Sequence, residues 1–71
     1  MNYYMTFKYK DKTVPWERCK ATTLTGAKRE VGRVYGAAYR EAVLVIAEGD
    51  NASGPLREIA SRKNMPGARW S

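Results

Sequence analysis

The residues best placed to do chemistry are Lys28, Arg29 and Arg33, in the stretch ATTLTGAKREVGR at positions 21–33. Arg29 and Arg33 are four apart, so on a helix they stack on one side, with Lys28 on the flank. Cationic heads held on a rigid element neutralise phosphates and release their counterions. Two readings stand: a solvated helix face partly neutralised by Glu30, or a ridge that meets a polyanion. Lys8 and Lys10 follow Tyr4 and Thr6 on one face of the alternating N-terminal stretch. Bases interleaved with aromatics grip single strands by charge and stacking, although tyrosines in such a pattern more often pack a sheet. Arg57, Arg62, Lys63 and Arg69 make a third basic group, beside a Trp70 suited to clamping a last strand onto the core.

Other reactive groups are few. Histidine is absent and Cys19 is the one cysteine. That removes cysteine–histidine zinc sites, an internal disulfide, and Ser-His or Cys-His nucleophilic pairs. The acids Asp11, Glu17, Glu30, Glu41, Glu48, Asp50 and Glu58 are scattered among bases and turns, and no pair has a spacing that argues for metal binding or acid–base work. TGAKR lacks the glycine run and the Gly-Lys-Ser/Thr ending of a phosphate loop. No enzyme, cofactor or metal is expected. What remains is charge: 13 Lys and Arg against 7 acids, a net +6. A small protein this basic is attracted to polyanions, nucleic acid being the usual one; the bland alternative is charge that serves solubility alone.

These side chains need elements to carry them. With 71 residues, positions 1–71 make one domain with room for one modest core. YYMTFKYK alternates, with Tyr3, Met5, Phe7 and Tyr9 on one face and Tyr4, Thr6, Lys8 and Lys10 on the other, as in a half-buried strand. KDKT suits a hairpin turn. Pro15 confines the next strand to an edge or a bulge; beyond it Cys19 and Ala21 fit an inward face, and Arg18 and Lys20 an outward one. Thr23 is suited to cap a helix in which Leu24, Ala27, Val31, Val34 and Tyr35 form the apolar stripe, ending at Gly36. Gly26 and Gly32 weaken that helix by about 1 kcal/mol each relative to alanine, unless a close approach requires them. AVLVIAE, apolar on both faces, reads as a central strand. PLREIASRK is open: Pro55 and the Glu58–Arg62 spacing suit a short helix, whereas Arg57, Ile59, Ser61 and Lys63 could share one face of a strand. The N-terminus lacks the apolar run of a secretory signal, and no segment approaches the roughly 20 apolar residues of a membrane span; a soluble, cytoplasmic protein is expected.

The order of elements, with Lys20-Ala21 before the helix, Thr23-Leu24 at its start, Ala27-Lys28-Arg29 within it and Gly67-Ala68-Arg69-Trp70 at the end, resembles the small phage-encoded type I-F anti-CRISPR proteins. In those proteins a Glu-Ala strand end runs into a Thr/Ser-Leu helix start, an Ala-Lys-Arg step follows, and a Gly-Lys-Arg-Trp strand closes the chain. The similarity spans most of the chain through short motifs, while residues 3–16 and 38–66 match in strand character alone. Gly26, Gly32 and the proline of the second strand depart from the pattern and leave the CRISPR subtype open. The resemblance implies an α+β, ββαββ-like fold: a single α-helix across an antiparallel sheet of about five strands, with residues 55–63 as a strand. It implies a partner, the backbone subunits of a type I Cascade surveillance complex, blocked where guide RNA and target DNA pair. It also implies non-specific contact with double-stranded DNA, the family's basic helix residues falling on Lys28, Arg29 and Arg33.

The expected interface is therefore Lys28, Arg29 and Arg33, with Lys8, Lys10, Lys20 and Arg69 around them. The first functional expectation is an anti-CRISPR inhibitor without catalysis. The alternative is a stand-alone small phage nucleic-acid-binding protein or regulator.

Overall fold

A computed structural model describes residues 2–71. Its elements are β1 (Asn2–Tyr9), β2 (Lys12–Thr13), β3 (Glu17–Arg18), α1 (Leu24–Tyr35), β4 (Val43–Gly49) and β5 (Arg57–Lys63). All strands belong to one antiparallel sheet in the order β2-β1-β4-β5, with β3 on the same edge of β1 as β2. Lys8 pairs with Thr13 and Tyr4 with Arg18, so β2 and β3 are two halves of one edge strand interrupted around Pro15. Proline has no N–H for the ladder, which is why the break falls there. This is the ββαββ-like arrangement of a single helix on an antiparallel sheet.

The alternation of β1 divides its side chains between two faces as expected, but the strand is not half-buried: its middle is buried on both faces. Met5 and Phe7 join Ala27, Val31 and Tyr35 of α1, Leu44 and Ile46 of β4, Cys19, Ala42 and Ala60 in one core, with Tyr3, Tyr9, Leu24 and Trp70 packed at its rim. On the opposite face Tyr4, Thr6, Val45 and Ala47 are also buried, and Thr6 Oγ1 donates to the Val14 carbonyl at 2.8 Å. Residues on both faces of β4 being buried accounts for its unbroken apolar run.

Residues 57–63 form a strand, which closes the helix-or-strand question. Ile46 lies opposite Ala60 but Ala47 lies opposite Glu58, with a register shift between them. Ile59 is therefore the extra residue of a bulge. The expected face of Arg57, Ile59, Ser61 and Lys63 is broken there: Ala60 and Arg62 point to the helix side with Ile46 and Leu44, and Ser61 and Lys63 to the other. The short last strand expected at the C-terminus does not form: residues 68–71 are outside any strand, and the end is held to β5 by one exchanged pair of backbone bonds, Ser71 N to Ser61 O at 2.8 Å and Ser61 N to Ser71 O at 3.2 Å.

Among the described residues no helix is long and apolar enough to cross a membrane.

Candidate nucleic-acid interface

Thr23 caps α1 as its position predicts. Its extended backbone stands outside the helix and its Oγ1 accepts from Gly26 N at 3.1 Å. The core stripe differs from expectation at its flanks. Ala27, Val31 and Tyr35 are buried, but Val34 is 40% exposed, and the buried place on that flank is taken by Glu30, 8% exposed. The cause is the connection from β3. Residues 19–23 run beside the first turns of α1, where Lys20 N donates to both Glu30 carboxylate oxygens at 2.9 Å and Ala21 N to Oε1 at 3.0 Å. A buried carboxylate must be satisfied by donors, and these two amides supply them.

This placement corrects the partial neutralisation expected of Glu30. The helix's one acid is turned inward, so no carboxylate remains on its solvent face, where Arg29 and Arg33 are exposed. Among the described residues the cations within 4.0 Å of a carboxylate are Lys8, 3.7 Å from Glu58, and Arg57, 3.5 Å from Glu48. Arg33 in the last helical turn also complements the negative end of the helix dipole, which is a structural role compatible with either reading.

Lys28, on the flank, lies 5.8 Å from the Trp70 ring centroid, and Arg62 reaches the same ring at 5.2 Å. Trp70 thus ties the C-terminal segment to α1 and β5, and two cations share its π-system. The close approach does not require a glycine at position 32: a Cβ on it would come no nearer than 4.0 Å to the Arg62 guanidinium. The Arg62 Nε is buried without a partner. Arg69, the residue before Trp70, is exposed.

The other expected residues are spread out. Lys8 is on the sheet face opposite the helix, where its partner Glu58 also lies. Lys10 stands in the β1–β2 turn, 5.4 Å from the Tyr9 centroid. Lys20 is exposed, its backbone amide engaged by Glu30. The fold therefore brings Lys28 of the helix and Arg62 of β5 to one tryptophan, with Arg29 and Arg33 exposed on the same helix, and leaves Lys8 on the other face of the sheet. Helical spacing alone could not find Arg62, because the bulge decides its face; Glu30 was equally out of reach, because a segment outside the helix buries it.

Two groups with the chemistry to react are withdrawn from it. Burial, reinforced by Glu30 and Glu17, pushes the Cys19 thiol up to about 11, which leaves it a poor nucleophile. Burial, then Glu17, pushes the Tyr35 hydroxyl up to about 12. No group of three His, Cys, Asp or Glu among the described residues could hold a metal ion. No protein-family model matches the chain, nor does any curated protein or solved structure.

Proposed function

We propose that this protein acts by binding, not by catalysis, and that the outer face of α1 meets the phosphate backbone of a nucleic acid. The observation that carries this reading is the inward turn of Glu30, which leaves Arg29 and Arg33 on a face without a counter-charge. Such a face releases counterions on binding, so affinity falls steeply with salt; two to three phosphate contacts give a log–log slope of about −2 to −3. Anisotropy titration of labelled duplex DNA over a salt series tests this. Reversal of Arg29 and Arg33 to glutamate is expected to abolish binding and leave the unfolding curve near that of the parent. Equal affinity of parent and double variant would refute the reading.

A second reading is favoured by one observation, the single helix on an antiparallel sheet that the anti-CRISPR resemblance implies. On this reading the same face docks on the backbone subunits of a type I Cascade complex in the host cytoplasm and excludes target DNA. Adding the protein to purified Cascade before a labelled target duplex tests it. Target binding that is unchanged across several type I subtypes would sink this version while leaving direct nucleic-acid binding standing.

A further inference from the structure

We infer that the open hollow between Tyr9 and Tyr39 is a stacking slot for one base of a single-stranded nucleic acid, an inference that rests on the nucleic-acid reading above. The hollow measures about 360 Å³ and is lined by Tyr9, Ala37, Ala38, Tyr39 and Arg40, within the usual range of roughly 300–1,000 Å³ for small-ligand sites. Two aromatic rings, two small residues and a guanidinium form a surface suited to a flat, π-rich group beside a phosphate. Every base has a π-face, so recognition of this kind tolerates any sequence, and it needs the base out of a duplex stack.

The platform is built before the ligand arrives. Tyr39 is stacked on Phe7 with centroids 4.0 Å apart and planes at 23°, and Phe7 meets Tyr35 edge-on at 5.0 Å. Yet Tyr39 remains 41% exposed. Its backbone is held on both sides: Tyr39 N donates to Tyr35 O, and Tyr39 O accepts from Ala42 N and from Asn64 Nδ2. A ring ordered in advance loses little freedom on binding.

Positive charge gathers at the same place. Lys10 lies over Tyr9, Arg40 lines the hollow, and neither is within 4.0 Å of a carboxylate, although Asp11 and Glu41 adjoin them in sequence. Arg40 also lines an adjoining hollow of about 240 Å³ with Arg62, Gly36 and Asn64, which has no acid in its wall and can seat the phosphate next to the base. Among the described residues the non-glycine positions with positive φ are Lys10 at 53° and Glu41 at 66°. Each stands within two residues of a slot tyrosine, Lys10 as the first residue of the two-residue β1–β2 turn, whose geometry calls for a positive φ.

The test compares three labelled probes in anisotropy titrations of the whole chain: a short oligothymidylate, the same backbone carrying abasic sites, and a duplex. The parent protein is expected to bind the oligothymidylate about tenfold more tightly than the abasic strand, the scale of one base–aromatic stack. Tyr39→Leu should collapse that ratio toward one, and Tyr39→Phe, which keeps the ring, should restore it. Because the abasic comparison uses the unaltered protein, it stands even where a variant folds poorly. Equal affinity for the two single strands overturns the slot. If that binding is still salt-dependent and lost on reversing Arg29 and Arg33, the reading above survives; if none of the three probes binds at low salt, both fall.

Discussion

Removing the Glu30 carboxylate tests the feature on which the cationic helix face depends. Its two oxygens satisfy the backbone amides of Lys20 and Ala21 at 2.9–3.0 Å. Hydrogen bonds to a charged group contribute about 1.5–3 kcal/mol each, and an amide left buried without a partner costs about 1–3 kcal/mol. Lys20 is exposed, so water replaces part of what its amide loses. Glu30→Ala should therefore cost about 3 kcal/mol. Glu30→Gln keeps one acceptor but turns an NH₂ toward an N–H, and should cost about half as much. A domain of this length holds roughly 4–10 kcal/mol in all, and each kcal/mol moves Tm by about 4–8 °C. Glu30→Ala should accordingly melt about 12–24 °C lower. Urea and thermal unfolding followed by circular dichroism measure both. A solvated surface acid would change stability by less than about 0.5 kcal/mol. If both variants fall in that range, Glu30 faces solvent, and the claim of an unneutralised helix face is wrong.

Gly32→Ala should stabilise the protein by about 0.5–1 kcal/mol, since alanine is the better helix former and its Cβ meets nothing nearer than 4.0 Å. Gly26→Ala should not, because its Cβ would lie 3.0 Å from Ala21 and 3.1 Å from Thr23 Oγ1; equal gains in urea midpoint would contradict this packing. Stability should also fall at alkaline pH. The native state raises the Cys19 thiol from 9.0 to about 11 and Tyr35 from 10.0 to about 12. The unfolded chain then gives up these protons first, so their contribution is complete below about pH 9 and is lost as pH rises toward 11–12. Cys19→Ala should flatten the earlier part of that decline in urea midpoints measured against pH, and an unchanged profile would count against it. Lys10→Gly relieves a φ of 53° at the first residue of the two-residue β1–β2 loop. It should gain about 1 kcal/mol while weakening single-strand binding; a gain in both would separate Lys10 from the slot.

Much of the frame can be read locally. The 3-5-7-9 alternation of β1, the Thr23 cap and the apolar run of β4 each state their element within a few residues, because strand and helix periods repeat over a span shorter than the element. The break at Pro15 is equally local. The candidate site is less legible. Arg29 and Arg33 are exposed as their spacing implies, but Val34 and Glu30 exchange the roles that the helical stripe assigns them.

That exchange, and every other surprise, depends on segments distant in sequence. Composition and period by themselves determined a small basic chain, one capped helix, a central strand and a pair of arginines on the helix's outer side. Tertiary structure decided the rest. It made residues 57–63 a strand by pairing them with β4, and its bulge sent Arg62 toward the helix. It buried Glu30 under the Lys20 and Ala21 amides. It brought Tyr9 and Tyr39 to one hollow although they are thirty positions apart. The physical reason is common to all of these: a side chain's exposure is set by what packs over it, and that neighbour comes from another part of the chain, outside the reach of any local period.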